Sequence, residues 1–511
     1  MNQPASPMLN GELRHQRWRV LSLTSIGMFM GTLDGTIVAV ALPVLSPALR
    51  LTYSEALWVQ AAYLLAVSVF LIPLGRVADR HGRMRLYLVG IGIFGVFSLA
   101  CSLATNGILL IVARCLQGLG ASFTAATSPA LVTEAFPPEQ RGRGLGLNAS
   151  AGFLGLMAGP PLGGFIVTHA DWRWIFLINV PISILTLANG WLLMRTQKRE
   201  QEDAAGRSHP GVAGHGPVRA EGIRIRDIMD WPGIALLSTS LVALVVPLTF
   251  VPFWGWLSTP TLGLLAASVV LLTAFCIVEG RVANPVLDLR LVRRNRAFAA
   301  GNLAALLNFA ASYGVTVFTA VFLEVAQGSS AQRAGLLLLI QPVFMAGLSP
   351  VFGFVSDRIG SRIPATGGML VAAAGMVQLG CLPASSPAWR ILLALGTVGL
   401  GMAAFGSPNT SAVMGSVERS QLSLAAGFLG TVRTVGQSVS VALLGAITAS
   451  GLGPTGGRVL FLGEEASRQA VQSFAAGYRT AMFLSAGIAV AAAVVSLVRG
   501  PRQTGGDNSA G

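Results

Sequence analysis

The sequence predicts an all-α integral membrane protein that crosses the bilayer about fourteen times. Its spans are arranged as two six-helix repeats with two extra helices inserted between them. Composition, the length of the apolar runs and an internal repeat carry this reading. Of 511 residues, 53% are hydrophobic and 11% are charged, against roughly 25% charged in soluble domains. The apolar runs are each about 20 residues long, the length that crosses a hydrocarbon core of about 30 Å at 1.5 Å per residue. Most have no polar face, as a soluble core helix would.

Taken in order, the spans fall near 20–45, 55–75, 86–104, 107–133, 144–168 and 174–194. A pair follows at 232–251 and 260–279. The last six lie near 298–324, 333–355, 364–382, 389–413, 422–449 and 477–498. The first run, behind Arg14, Arg17 and Arg19, is too long for a signal-peptide core and has no cleavage site, so it reads as a span.

Orientation follows from the basic residues. With the N-terminus in the cytoplasm, 26 of the 35 Lys and Arg fall in cytoplasmic segments and seven in outer loops. Arg114 and Arg433 lie inside spans. This asymmetry is the positive-inside pattern and puts both termini in the cytoplasm. The net charge of +14 therefore reports topology. It is not the footprint of a nucleic-acid partner, since no basic stripe interleaved with aromatics is present.

The repeat is visible in a loop. "GRVADRHGR" at 75–83 returns as "GFVSDRIGS" at 353–361, an offset of 278. Gly75, Asp79, Arg80 and Gly82 thus align with Gly353, Asp357, Arg358 and Gly360, and the first and ninth spans start the same distance apart. The resulting domains are a first bundle at 1–194, a cytoplasmic linker at 195–231, the inserted helices and loop at 232–297, and a second bundle with a short tail at 298–511. The linker is rich in Gly and charge and reads as flexible. Its His209 and His215 are too few to argue for metal. Two parallel six-helix repeats around a central path are the build of a major facilitator transporter, with substrate near the midplane between them.

Five strings, in the right order on the right spans, resemble that superfamily and its fourteen-helix branch of drug:proton antiporters. They are "LDGTIVAVALP" (33–43), "GRVADRHGRMR" (75–85), "ARCLQGLGAS" (113–122), "GLMAGPPLGG" (155–164) and "WRWIFLINVP" (172–181). The resemblance covers essentially the whole chain and is strongest over 20–185. It implies a proton-coupled antiporter of multidrug-efflux and antibiotic-resistance type, placed in the bacterial inner membrane. Its cargo would be small amphipathic or cationic compounds, and it would work by alternating access with no cofactor beyond the proton gradient. In the resemblance, Gly155, Gly159, Pro160, Gly163 and Gly164 form a motif that accompanies export. Physics alone reads them as a close-packing face with a bend at Pro160.

Asp34 lies about 22 Å into span one and Arg114 about 20 Å from the same surface on span four, at 1.5 Å per residue. An ionisable side chain at that depth is costly and is usually paired or functional. Asp34 is the expected proton- or cation-binding carboxylate, with Arg114 as its partner. A static structural pair is the competing reading. Arg433 sits in span thirteen without an evident acidic partner and reads equally as a cavity-lining coupling residue or as a cap on backbone carbonyls; Glu324, ending span nine near the outer face, is one candidate partner, although its depth matches poorly. Gly75, Asp79, Arg80, Gly82 and Arg83, with Glu134 and the copy at Asp357 and Arg358, are the expected cytoplasmic gate. The competing reading of those arginines is topology alone.

Other classes find less support. The five His fall in loops or tails, and no intramembrane cluster offers metal or acid–base chemistry, so no enzyme and no metal site are expected. No Walker Gly-Lys-Ser/Thr string is present, which excludes ATP drive within this chain. Cys101, Cys115, Cys276 and Cys381 lie within spans without C-x-x-C spacing and predict no disulfide. Two rival functions stay open: an exporter dedicated to one endogenous metabolite, and a transport-inactive membrane sensor. A periplasmic adaptor protein is compatible with export across two membranes, but no residue points to one.

Overall fold

The computed structural model describes residues 7–137, 140–207, 230–282, 289–383, 385–417, 422–449 and 468–497, and these are helical or in connecting turns. The first bundle contains α1 (Pro7–Ala48), α2 (Tyr53–His81), α3 (Arg83–Ser102), α4 (Gly107–Ala135), α5 (Arg141–His169), α6 (Trp174–Leu177) and α7 (Asn179–Arg207). The inserted pair is α8 (Trp231–Trp254) and α9 (Thr259–Glu279). A short α10 (Leu289–Arg294) leads into the second bundle. That bundle contains α11 (Arg296–Val321) with a π-helical end (Phe322–Ala326), α12 (Ala331–Leu338) and α13 (Ile340–Ile359). It is completed by α14 (Arg362–Gly380), α15 (Ala388–Gly415), α16 (Leu422–Ala449) and α17 (Arg468–Leu497). Among the described residues, fourteen stretches are long and apolar enough to cross a membrane, and each predicted run matches one of them. The protein is a multi-pass membrane protein.

Local chemistry starts these helices. Thr52 and Glu55 form a reciprocal capping box at α2. Asn106, Asp230, Ser258, Asn295 and Ser330 each cap the next helix through a side-chain oxygen. In α8 and α9 a proline follows in the first turn, where its missing N–H has no intrahelical acceptor to lose.

The helix α7 runs on through Arg207, into the segment expected to be flexible. "RTQKREQEDAAGR" is rich in helix formers, enough to extend a helix already nucleated in the membrane. His209 and His215 lie outside the described residues.

The repeat is geometric as well as textual. Gly82 and Gly360, at matching positions, have φ of +96° and +85°, backbone space open chiefly to glycine. Gly90 of α3 abuts the carbonyl of Gly120 in α4, and Gly368 of α14 abuts that of Gly401 in α15. The inserted pair bridges the bundles. Leu237, Leu241, Val245 and Leu248 of α8 bury against Ala61, Leu65 and Val69 of α2 and Ala442 of α16. The outer helix α9 exposes Val269, Val270, Leu272 and Ile277, an apolar face suited to lipid.

The surface at which α1 begins is the near face, and the opposite one is the far face. At the far face the bundles close on each other through α5 and α12. A Cβ at Gly335 would lie 2.2 Å from the carbonyl oxygen of Pro160, and one at Gly164 would lie 2.4 Å from that of Ala331. Only glycine allows backbones this close.

Candidate functional site

Inside the first bundle, six helices converge on two charges. Asp34 of α1 and Arg114 of α4 are both wholly buried and paired. The Asp34 carboxylate accepts from an Arg114 Nη1 on one oxygen. On the other it accepts from Gln117 Nε2 at 2.9 Å and from Asn179 Nδ2, at the start of α7, at 3.0 Å. Arg114 also donates to Gln117 Oε1 at 2.6 Å and, through Nε, to the Val59 carbonyl of α2 at 3.0 Å. Its guanidinium carbon lies 4.4 Å from the Tyr63 ring centroid and 5.8 Å from that of Phe176 on α6. These rings give the cation π-electron density where Nη2 has no hydrogen-bond acceptor. Ser98 of α3 accepts from Gln117 at 2.8 Å and completes the network.

Isolated, either charge would cost several kcal/mol to bury, and here each is compensated by the other and by neutral donors. The carboxylate accepts from three donors and is closed to solvent. In this arrangement it holds Arg114 and has no open coordination for a cationic ligand.

A second polar group joins the bundles. Tyr313 of α11 donates to the carbonyl of Gly35 at 2.8 Å, the residue after Asp34, and Gln60 of α2 donates to both Gly35 O (2.6 Å) and Tyr313 Oη (2.7 Å). Gly35 and Tyr313 are 278 residues apart, the offset of the internal repeat, so this clasp lies where the two halves mirror each other. Replacing Tyr313 by Phe removes its donation and leaves the ring. The expected result is a shift of about 1 kcal/mol towards separated bundles. Spin labels on the far ends of α5 and α12 would report it as a larger long-distance population. Unchanged distances would mean that the clasp holds nothing.

Arg433 and Glu324 do not meet. Both belong to the second bundle, and no ion pair joins them among the described residues. At 1.5 Å per residue they lie about 25 Å apart in depth, because Arg433 is in the near half of α16 and Glu324 at the far end of its span. Glu324 sits in the π-helical turn with a buried Oε1 that has no hydrogen-bond partner. Arg433 is exposed although it is well inside a span. Its guanidinium lies 5.4 Å from the Phe309 centroid and within electrostatic reach of Tyr313.

Several known proteins are similar to this chain. The sequence profile of the Major Facilitator Superfamily matches residues 24–323 and again 301–511. The chain belongs to this superfamily. Within it, the multidrug resistance protein Stp of Mycobacterium tuberculosis is 32% identical over 86% of this chain and 78% of its own. The tetracenomycin C resistance and export protein of Streptomyces glaucescens is 30% identical with the same coverage. The riboflavin transporter RibZ of Clostridioides difficile is 28% identical over 86% of this chain and 89% of its own. Among solved structures, an inward-facing bacterial homolog of the human lysosomal transporter Spinster superposes with a TM-score of 0.64 over 95% of this chain and 97% of that one, at 15% identity. A D-xylose–proton symporter gives 0.63 over 94% and 97%, at 13% identity. Two of these relatives are thus named for drug resistance or export.

In this facilitator two of the loop residues meet. Arg83 Nη1 lies 2.6 Å from Glu134 Oε1, with side chains 26% and 59% exposed. An ion pair this wet is worth about 0–1 kcal/mol, and it ties α3 to α4 within the first bundle. Gly75 lies beside Ala126, and Gly82 makes the turn between α2 and α3. Arg358 is exposed, 4.3 Å over the Phe354 ring. The side chains of Asp79, Arg80 and Asp357 lie outside the described residues.

The α5 glycines form a ladder on α1. A Cβ at Gly155 would lie 2.3 Å from Phe29 O, at Gly159 1.9 Å from Thr36 Oγ1, and at Gly163 2.8 Å from Ile37 O. Pro160 and Gly164 face α12 instead, so the motif serves one packing within its bundle and a second between bundles.

Sequence reasoning had not singled out Gln117, Asn179, Tyr63, Gln60 or Tyr313. Gln117 was within reach of it, three residues beyond Arg114 and so on the same helix face. Tyr313 falls one repeat length after Gly35. Asn179 lies within the string at 172–181, but only the packing of α7 and α2 brings Asn179 to Asp34 and Tyr63 to Arg114.

Proposed function

We propose that this facilitator is a secondary antiporter of the bacterial inner membrane that exports small amphipathic compounds in exchange for protons. Both termini face the cytoplasm, so the near face is cytoplasmic. The observation that carries the reading is the buried Asp34–Arg114 pair with its neutral donors Gln117 and Asn179. A proton on Asp34 removes the negative charge that compensates Arg114. The arginine then lacks a counter-ion inside the bundle, and the contacts joining α1, α4 and α7 weaken together. That makes proton occupancy a term in the balance between two packings of the first bundle. Through Gly35, the residue after Asp34, the same event reaches the Tyr313 clasp between bundles.

Alternating access then follows from opening the α5–α12 seal at the far face while the near face closes. The loop residues Asp79, Arg80, Arg83 and Glu134 act as the near-face gate. Relatives named as multidrug resistance and antibiotic export proteins support the efflux direction. A second reading, export of one endogenous metabolite, draws support from the likeness to a protein named a riboflavin transporter, since both jobs use one central cavity.

Proton movement in everted vesicles tests the antiport. Ethidium, rhodamine 6G and fluorescein are added in turn, with wild type compared to Asp34→Asn. The expected result is dye-driven proton movement in wild type that drops about a hundredfold or more in the variant. Equal movement in both would remove Asp34 from the coupling. Movement with none of the dyes would count for the dedicated exporter.

A further inference from the structure

Among the described residues, Arg433 is a positive charge inside a span that no carboxylate neutralises. On α16, Gly436 abuts Leu306 and Phe309 of α11, and Gly430 abuts Leu71 of α2. Arg433 is three residues from each, and at 100° per residue its side chain points into the angle between α11 and α2. That angle lies between the two bundles, on the near side of the Tyr313–Gln60–Gly35 clasp. The Arg433 side chain is exposed there. Its guanidinium lies 5.4 Å from the Phe309 ring centroid, and no carboxylate pairs with it among the described residues. Asp34, the acidic group at similar depth, is wholly buried and committed to Arg114.

We propose that Arg433 over Phe309 is a binding site for an anionic oxygen on an aromatic molecule, so that the exported compounds are amphipathic carboxylates, phenolates or sulfonates. The proposal rests on the export reading and names its substrate class. A guanidinium presents a planar fork of donors that suits a carboxylate in two-point contact, and its exposed flank on a phenyl ring favours a flat aromatic body beside it. Desolvating a cationic ligand beside an uncompensated arginine carries repulsion instead. A positive charge inside a span without its own anion is costly until an anionic ligand arrives, which makes ligand binding and charge compensation one event.

The test is equilibrium binding, which keeps the proposal separate from transport. The purified full-length protein in lipid nanodiscs is titrated with fluorescein, an anionic xanthene, and with rhodamine 6G, its cationic counterpart, by fluorescence anisotropy. Wild type is expected to bind fluorescein more tightly. Arg433→Gln is expected to weaken fluorescein by about tenfold or more, while rhodamine 6G holds or tightens. Arg433→Lys, which keeps the charge but loses the fork, is expected to fall between them. Matching melting curves for the three proteins exclude a folding defect. The proposal is overturned if folded wild type shows no saturable fluorescein binding, if rhodamine 6G binds more tightly, or if Arg433→Gln alters neither dye. Anion binding with no proton movement in vesicles would sink the antiport reading and leave the site standing.

Discussion

Arg114→Met destabilises the first bundle by about 3–5 kcal/mol, the cost of leaving a buried charge without its partner. The variant strands the Asp34 carboxylate among Gln117 and Asn179, two neutral donors that supply hydrogen bonds without charge. It also takes a donor from the Val59 carbonyl and a cation from the Tyr63 face. Asp34→Asn alone leaves Arg114 as the uncompensated ion. The double variant Asp34→Asn with Arg114→Met strands neither charge, and a neutral amide can still accept from Gln117 and Asn179. The expected order of stability is therefore double variant above either single variant. Melting temperature of the detergent-solubilised protein measures it, and a double-mutant cycle should return a coupling of several kcal/mol in favour of the pair. A double variant less stable than both single variants would mean that the two side chains act independently.

Gly164→Leu is expected to hold the bundles apart at the far face without unfolding either of them. Its Cβ would lie 2.4 Å from the Ala331 carbonyl oxygen and 2.8 Å from the Gln332 Cα, both in the opposite bundle. Overpacking of this kind costs about 1–3 kcal/mol, and two bundles joined by a seam can avoid the cost by separating. The accompanying readout is a cysteine placed at Gln332 and challenged with a membrane-impermeant maleimide from the far side. Its labelling should rise about tenfold over the Gly164 parent, above a background set by Cys381, which is exposed just past the far end of α14. Gly159→Leu is the control. Its clash is 1.9 Å from Thr36 Oγ1 inside the first bundle, so it should lower the melting temperature without speeding the labelling. Equal labelling in the Gly164→Leu protein and its parent would show that the α5–α12 contact does not close the far face.

The spans were legible in the sequence because crossing a bilayer imposes a length and an apolarity that no tertiary contact is needed to reveal. The repeat was legible for a related reason. Gly82 and Gly360 both turn a chain between antiparallel spans at positive φ, and a residue under that constraint leaves its mark at the same offset twice. The linker was harder to read. Composition described the solvated part, but a helix leaving the membrane propagates until something stops it, so α7 extended to Arg207.

For the site, the sequence by itself determined that Asp34, Arg114 and Arg433 are charges at membrane depth, since a rare residue in an apolar run is visible without a fold. It also determined that Asp34 and Arg114 come to similar depth on separate spans. Only the tertiary structure decided that those two are sealed together while Arg433 is left exposed to the interior. Depth is a one-dimensional quantity that residue counting supplies. Partnership and exposure depend on the rotation of each helix about its axis and on which neighbours pack there. Those are set jointly by glycine contacts on several helices, such as Gly430 on α2 and Gly436 on α11, and no single stretch of sequence carries them.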